Sequence, residues 1–244
     1  MTLREFLDYY VYVQKCGGCG EILPDERKQT AFCSACHLRW TVAKTENCAN
    51  CFRPAVECTC MPKGLSSVGA LCLRKLIFYH TERGEQPQNK LIYFLKRNPN
   101  RRMARFVAEE LKGAILTELE VLGKKDLASE CVLVSVPRGR LARNTYGFDQ
   151  AELVCRELSA CVGIPFARVI RRRMGGKEQK RLSRDRRFRN IRHLFRLVDA
   201  EAVRGKCVLL FDDVVTTGAS MAACVNLLKK AGAHTIICLC IAQD

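Results

Sequence analysis

Eight of the sixteen cysteines in this chain of 244 residues fall in close pairs near the N-terminus, and their spacing constrains the fold more than any other feature. Cys16 and Cys19 form CGGC, and after thirteen intervening residues Cys33 and Cys36 form CSAC. Two thiolates separated by two residues can point at one tetrahedral ion from a tight turn, and two such pairs complete a four-thiolate site. The pattern predicts a zinc ribbon.

A second quartet follows at Cys48, Cys51, Cys58 and Cys60. Its last two cysteines are separated by one residue rather than two, so the sequence leaves open whether the chain holds one zinc ion or two. His37 is a competing ligand that ranks below the four thiolates of the first quartet. Because about 45 residues bury too little apolar surface to fold unaided, we expect structural rather than catalytic zinc.

The other eight cysteines lie among apolar residues, which predicts small buried side chains. The first residues, MTLREFLDYYVYVQ, carry charges and lack the pattern of an export signal. We therefore expect a reducing, cytoplasmic setting without disulfides. No apolar run approaches the roughly 18 residues of a membrane-spanning helix, so integral membrane insertion is not expected.

Beyond the cysteine pairs, segments with strand patterns alternate with segments with helix patterns. Partly alternating β-forming residues predict a strand or hairpin in segment 66–80, and apolar runs predict strands in segments 131–137, 164–170, 207–213 and 234–242. Amphipathic spacing predicts helices in segments 89–97, 104–116, 148–161 and 218–232. This alternation is typical of an α/β domain with a mostly parallel sheet and helices on both faces. We expect an N-terminal helix and the zinc module in residues 1–63, and the α/β domain in residues 64–244.

The stretch CVLLFDDVVTTGA, residues 207–219, has the pattern of a ligand site at the end of a buried strand. The strand CVLLF is predicted to deliver Asp212 and Asp213 to the edge of the sheet, where ligands of parallel sheets bind. Thr216, Thr217 and Gly218 then turn the chain into a helix that begins at Ala219 and Ser220. Backbone N–H groups at such a turn bind phosphate, and carboxylates accept hydrogen bonds from sugar hydroxyls. The order of these groups favours a sugar phosphate.

This stretch resembles the phosphoribosyl diphosphate (PRPP) motif of type I phosphoribosyltransferases. The resemblance implies that Asp212 and Asp213 contact the ribose hydroxyls and that residues 216–220 bind the 5′-phosphate. It also implies that PRPP binds together with Mg²⁺. The pyrophosphate loop of that family follows an earlier strand, and Val136, Pro137 and Arg138 are placed to form it.

The arrangement from Cys16 onward resembles the ComF family of competence proteins, in which a cysteine-rich zinc module precedes a type I phosphoribosyltransferase domain. Landmarks of that family correspond to Val136, Pro137, Tyr146, Gly147, Phe148, Asp149, Gln150, Gln179, Leu182, Ser183, Arg187, Asn190 and Phe195. The chain departs from the family at three positions: it has Tyr146 where the family has Arg, Asp149 where the family has Asn, and Arg181 where the family has Gly. The main-chain framework can persist despite these changes. The resemblance implies handling of single-stranded DNA during natural transformation, with proteins of the competence machinery as partners.

Residues 168–192 contain twelve Lys or Arg residues in twenty-five, within a chain of formal net charge +16. Such a run is most often a solvated helix or loop. By resemblance, a loop before the PRPP motif closes over the substrate, and the cations that would then meet pyrophosphate are Arg173, Lys177, Lys180 and Arg181. The same segment could track a nucleic-acid backbone. Phe188 and Phe195 could stack on bases, although docking onto a core is the favoured interpretation.

Two functions stay open on the sequence alone. The first is a cytosolic PRPP-binding protein that handles single-stranded DNA during DNA uptake. The second is a magnesium-dependent phosphoribosyltransferase whose acceptor the sequence does not indicate. No segment is recognisable as a site for an acceptor base, which favours the first hypothesis. The sequence indicates neither the oligomeric state nor whether the PRPP site is catalytic.

Overall fold

The computed structural model describes residues 13–24, 26, 30–80, 86–138, 145, 147–173 and 194–244. The N-terminal helix expected before the first cysteine pair lies largely outside these residues. So does most of the basic segment, including Lys177, Lys180 and Arg181.

A four-stranded parallel sheet forms the centre of the fold, with strand order β1-β6-β5-β2. The strands are β1 (Cys72–Phe78), β2 (Cys131–Ser135), β5 (Cys207–Val215) and β6 (Thr235–Gln243). The two central strands are almost entirely buried, and a continuous apolar run is what a strand covered on both faces requires. The predicted α/β architecture is confirmed.

Seven helices or helical turns accompany the strands in the part of the chain that the structure describes. They are α1 (Ser34–Lys44), α2 (Lys63–Ser66), α3 (Pro87–Arg97), α4 (Arg101–Val121), α5 (Leu127–Glu130), α6 (Gln150–Val162) and α7 (Ala219–Lys230). Local signals set several helix ends. Pro87 occupies the first turn of α3, Asn100 caps α4 by accepting the N–H of Met103, and Gly163 ends α6 in the left-handed region.

Two apolar clusters cover the two faces of the sheet. The helices α1, α3, α4 and α6 pack on one face, where Leu209 and Phe211 of β5 point. The helices α2 and α7 pack on the other face, against Val208 and Leu210. Successive residues of β5 thus enter opposite cores, as the two-residue period of a strand requires.

A short antiparallel ribbon lies outside the main sheet. It pairs β3 (Ile170–Arg172) with β4 (Phe195–Leu197). The strand predicted for segment 164–170 is present only in part, because Phe166 makes a single parallel bridge to Leu133 before the chain leaves the main sheet for β3.

The cysteine-rich region shares its core with the α/β domain. Phe32 and Trp40 pack against Phe106 of α4, with ring centroids 5.3 and 5.5 Å from that of Phe106. The indole Nε1 of Trp40 donates a hydrogen bond of 2.9 Å to Glu110, which also pairs with Lys44. A continuous core therefore crosses the boundary expected at residues 63 and 64, and that boundary stays a prediction.

None of the helices in the described part of the chain is both long enough and apolar enough to cross a membrane.

Replacing Trp40 with Ala tests whether the two regions unfold together. Trp40 is fully buried, so we expect the free energy of unfolding to fall by about 3 to 5 kcal/mol. The measurement is urea unfolding followed by far-ultraviolet circular dichroism in saturating zinc. The control is Val42→Ala on the exposed side of the same helix, which should stay within about 0.5 kcal/mol of the wild type. A Trp40→Ala protein whose α/β domain unfolds at the wild-type urea concentration would contradict a shared core.

Candidate functional site

The carboxyl edge of the sheet has a step in it, because β2 ends earlier than the strands beside it. β2 pairs with β5 only as far as Ser135 opposite Phe211, whereas β6 pairs with β5 as far as Val215. The N–H of Val136 makes a last hydrogen bond of 2.9 Å to the carbonyl of Phe211. Asp212 and Asp213 therefore lie just beyond the end of β2. The sequence placed these acids at the end of β5, but they lie within it, because β6 continues the pairing.

The turn after β5 leads directly into the N-terminus of a helix that no side chain caps. Thr216 and Thr217 are exposed, while Gly218 is buried and adopts a left-handed conformation with φ of 72° as the N-cap of α7. No side chain caps α7, so the first N–H groups of this helix are available to a ligand. Ala219 is buried and Ser220 is half-buried at the start of the helix. The predicted phosphate turn thus joins a strand to an uncapped helix.

The acid pair consists of two carboxylates in different surroundings. Asp213 is 8% exposed, and its Oδ2 accepts a hydrogen bond of 2.8 Å from Gln150 Nε2 and lies 3.3 Å from Lys96 Nζ. Its Oδ1 accepts the N–H of Val214 at 2.8 Å. Asp212 is half-buried and accepts the N–H of Asp213 at 2.9 Å. Burial, together with the negative charge of Asp213, raises the pKa of Asp212 well above its ordinary value.

The segment after β2 is anchored to two helices. The N–H of Arg138 donates to Asp149 Oδ2 at 2.9 Å, and the Arg138 guanidinium donates to the carbonyl of Lys96 at 2.8 Å. Asp149 also caps α6 by accepting the N–H groups of Ala151 and Glu152. Burial raises the pKa of Asp149, although the N–H groups it accepts act in the opposite direction. The structure thus brings Val136, Pro137 and Arg138 to the same edge as the acid pair.

Two residues of this edge were missed by the sequence analysis as site residues. Gln150 was noted only as a family landmark, and Lys96 only as part of an amphipathic helix. Lys96 lies in the last turn of α3, more than a hundred residues before Asp213. A contact between residues so far apart has no local signal in a single sequence.

The structure describes residues 168–173 of the basic segment and the residues from 194 onward that follow it. Arg173 continues the ribbon, with its N–H donating to the carbonyl of Leu194 at 2.7 Å. Phe195 is 2% exposed and packs in the core, which confirms docking rather than base stacking for this residue. Arg172 lies over the Phe195 ring at 5.8 Å. The expectations for Lys177, Lys180, Arg181 and Phe188 concern residues outside the described part of the chain.

The first cysteine quartet converges as the spacing predicts. The sulfur atoms of Cys16, Cys19, Cys33 and Cys36 all lie within 4.8 Å of one another. The N–H of Gly18 at 3.4 Å and the N–H of Cys33 at 3.2 Å donate to Cys16 Sγ. Such N–H groups stabilise thiolates, and four convergent sulfurs fit a tetrahedral zinc ion.

The second quartet converges equally closely, despite its shorter final spacing. The sulfur atoms of Cys48, Cys51, Cys58 and Cys60 also lie within 4.8 Å of one another. His37 belongs to neither of the two groups found among the described residues. Both quartets could therefore bind zinc through thiolates alone.

Lys75 of β1 gives independent support for a metal at the second quartet. Its side chain is 1% exposed, and its Nζ donates to the carbonyl of Cys60 at 2.6 Å and to Cys58 Sγ at 3.2 Å. Among the described residues no carboxylate forms an ion pair with it. A buried ammonium requires a compensating negative charge, and metal-bound thiolates supply one.

The remaining cysteines are mostly buried, as expected. Cys161 is half-buried, and the fully buried ones are Cys72, Cys131, Cys155, Cys207, Cys224, Cys238 and Cys240. Burial raises the pKa of the Cys72 and Cys207 thiols to about 12, so these side chains stay neutral thiols near pH 7.

Comparison with known proteins gives matches in the C-terminal part of the chain. Residues 128–244 match the family model described as the phosphoribosyl transferase domain. The DNA utilization protein YhgH of Salmonella typhi is 36% identical over 111 residues, which cover 44% of this chain and 48% of that protein. Competence protein F of Haemophilus influenzae is 30% identical over 106 residues, which cover 43% of this chain and 46% of that protein. The chain spans about half the length of the curated relatives it matches.

Solved structures with some similarity include two phosphoribosyltransferases. Adenine phosphoribosyltransferase from Saccharomyces cerevisiae is 18% identical, with a TM-score of 0.35, over 56% of this chain and 68% of that one. Hypoxanthine phosphoribosyltransferase from Staphylococcus aureus is 14% identical, with a TM-score of 0.35, over 58% of this chain and 63% of that one.

The sequence matches and the parallel sheet agree on one part of the chain. Residues 128–244 match the phosphoribosyl transferase domain, and the chain is similar over about half its length to proteins named for DNA utilization and for competence.

Proposed function

We propose that this protein binds PRPP with Mg²⁺ at the carboxyl edge of the sheet and handles single-stranded DNA during DNA uptake. The observation that carries the first part is the uncapped N-terminus of α7, which follows the acid pair directly and begins at the left-handed Gly218. The 5′-phosphate would bind the N–H groups of this turn and the hydroxyls of Thr216, Thr217 and Ser220. Val136, Pro137 and Arg138 would lie beside the diphosphate.

The surroundings of Asp212 support binding of a ribose with its metal. Its raised pKa means that the protein alone compensates the ionised form of this carboxyl poorly. Ribose hydroxyls donate hydrogen bonds to a carboxylate, and Mg²⁺ is held in proteins by one or two carboxylates together with substrate phosphates. Either interaction would favour the charged form of Asp212.

The DNA part of the proposal rests on charge and on relatives. A formal net charge of +16 favours polyanionic partners. The similar proteins are named for DNA utilization and for competence. The exposed Arg171 and Arg173 lie at the start of the most basic segment of the chain. Proteins of the competence machinery would be the partners of such a function.

The alternative is transfer of the phosphoribosyl group to an acceptor, and the match of residues 128–244 to the phosphoribosyl transferase domain favours it. Pyrophosphate release separates the two functions. A binding protein releases none when it is mixed with Mg²⁺, PRPP and a pool of nucleobases. Release that the double variant Asp212→Asn with Asp213→Asn abolishes would establish transfer.

Replacing Gly218 with Ala tests the phosphate turn. A side chain at φ of 72° is strained, and its Cβ would contact Pro62 and Leu65 at 3.5 Å, so the turn should shift and PRPP affinity should fall at least about tenfold. The measurement is isothermal titration calorimetry with PRPP and Mg²⁺. Gly205→Ala is the matched control, because Gly205 has φ of 69° and open space for a Cβ. Both variants should lose roughly 1 kcal/mol of stability, but only Gly218→Ala should lose affinity. Equal PRPP affinity of Gly218→Ala and wild type would refute the phosphate turn.

Single-stranded DNA binding should depend strongly on salt. Fluorescence anisotropy with a labelled oligonucleotide should show affinity falling by at least about a hundredfold between 50 and 300 mM salt, because bound phosphates release counterions. The variant Arg171→Ala with Arg173→Ala should weaken binding roughly tenfold at low salt. The control removes two charges elsewhere, by Lys229→Ala with Lys230→Ala at the exposed end of α7. If both double variants lost the same affinity for single-stranded DNA, binding would depend on net charge alone and not on Arg171 and Arg173.

Zinc content tests the two quartets, and Lys75→Met tests the contact to the second. Purified protein should hold two zinc ions by elemental analysis, and Cys16→Ser and Cys58→Ser should each lose one.

Because Lys75→Met leaves the Cys58 thiolate without its buried cation, zinc affinity at the second quartet should fall about 10- to 100-fold. Competition with a chromogenic chelator measures this. Lys63→Met, at an exposed position, is the control. Unchanged zinc retention in Lys75→Met would contradict compensation by this lysine.

A further inference from the structure

The carboxylate of Asp213 is already engaged by the protein. Its Oδ2 accepts a hydrogen bond of 2.8 Å from Gln150 Nε2 and lies 3.3 Å from Lys96 Nζ. Its Oδ1 accepts a hydrogen bond of 2.8 Å from the N–H of Val214. Only 8% of Asp213 is exposed. A ribose hydroxyl that displaced one of these donors would leave a buried polar group without a partner, which is unfavourable. Asp213 is therefore poorly placed to bind ribose.

Lys96 is arranged differently, because its side chain contacts Asp213 and is still partly exposed. Its side chain is 33% exposed, and Asp213 is the ion-pair partner that the described residues supply. An ammonium group has three N–H donors, so donors remain after the contact with Asp213. The side chain of Lys96 thus presents a fixed positive charge at the carboxyl edge of the sheet.

The main chain of Lys96 connects this cation to the segment after β2. The guanidinium of Arg138 donates to the Lys96 carbonyl at 2.8 Å, and the N–H of Arg138 is held by Asp149 at 2.9 Å. The end of α3, the segment 136–138 and the start of α6 therefore meet around Asp213. The phosphate turn lies at a different place, where α7 begins at Gly218. Lys96 is on the side of the site expected to take the diphosphate.

We propose that the two acids have different roles, and that Lys96 binds the diphosphate group of PRPP. Asp213 is a positioning residue that holds the ammonium of Lys96 and the amide of Gln150. Asp212 is the acid that accepts the ribose hydroxyls. This inference rests on the proposed function, but it assigns to the site a cation that the sequence motif does not contain.

The closing experiment compares two ligands that differ by the diphosphate. The affinities for PRPP and for ribose 5-phosphate are measured by calorimetry in Mg²⁺ for the wild type, Lys96→Gln and the matched control Arg97→Gln. Arg97 is the exposed neighbour of Lys96 at the same helix end. Loss of a charge-assisted contact should weaken PRPP binding about 10- to 100-fold in Lys96→Gln. Its ribose 5-phosphate affinity, and both affinities of Arg97→Gln, should stay within about twofold of wild type, since neither change removes a direct contact.

The acids provide a second and independent measurement. Asp213→Asn should lower PRPP affinity because it removes the carboxylate that positions Lys96. The double variant with Lys96→Gln should therefore lose little more PRPP affinity than either single variant. Asp212→Asn should weaken PRPP and ribose 5-phosphate alike. Lys96→Arg keeps the charge and should retain the preference for PRPP. Circular dichroism establishes that each variant is folded.

The outcomes separate this inference from the proposed function. A wild type that binds neither ligand refutes the proposed function and the inference with it. A wild type that binds PRPP while Lys96→Gln binds it equally well refutes the inference alone. Equal losses for PRPP and ribose 5-phosphate in Lys96→Gln would also refute it, because they would reduce Lys96 to a structural partner of Asp213.

Discussion

The unequal pairing of β5 with its two neighbours is the constraint on which the site depends. β6 holds β5 in an extended conformation as far as Val215, while β2 stops opposite Phe211. The backbone of the acid pair is therefore paired on one side only. Unpaired backbone groups at a buried edge require other partners. The segment after β2 supplies the first of them, since the N–H of Val136 donates to the carbonyl of Phe211, and Asp212 supplies another by accepting the N–H of Asp213.

The cysteine-rich region packs against the α/β domain, and part of it contacts the turn at this edge. Trp40 enters the core formed with α4, and Lys75 joins the second quartet to β1. The helical turn α2, which follows that quartet, packs with α7, and a Cβ at Gly218 would lie 3.5 Å from Pro62 and Leu65. The phosphate turn therefore rests on the segment that leaves the second quartet. Direct packing therefore connects the conformation of the second quartet with the conformation of the turn at Gly218.

The features that the sequence predicted are those with a local signature. The spacing of the cysteine pairs, the apolar runs of β2, β5 and β6 and the turn at Gly218 can each be recognised within a few neighbouring residues. The contacts it missed join distant segments: Lys96 with Asp213, Lys75 with Cys58, and Trp40 with Glu110. Such contacts depend on how the helices pack, which periodicity alone does not determine. The extent of β5 was missed for the same reason, since a strand ends where its partner ends.

The different surroundings of the two acids also bear on what the site can do chemically. Asp213 is held by three donors and is buried, so an acceptor substrate would have to compete with them for its oxygens. Asp212 has a raised pKa, which is the property of an acid whose charge is poorly compensated. A metal-bound ribose phosphate would supply that compensation, and by linkage the ionised carboxyl and the ligand would then stabilise each other. Ligand binding alone would therefore account for the surroundings of both acids.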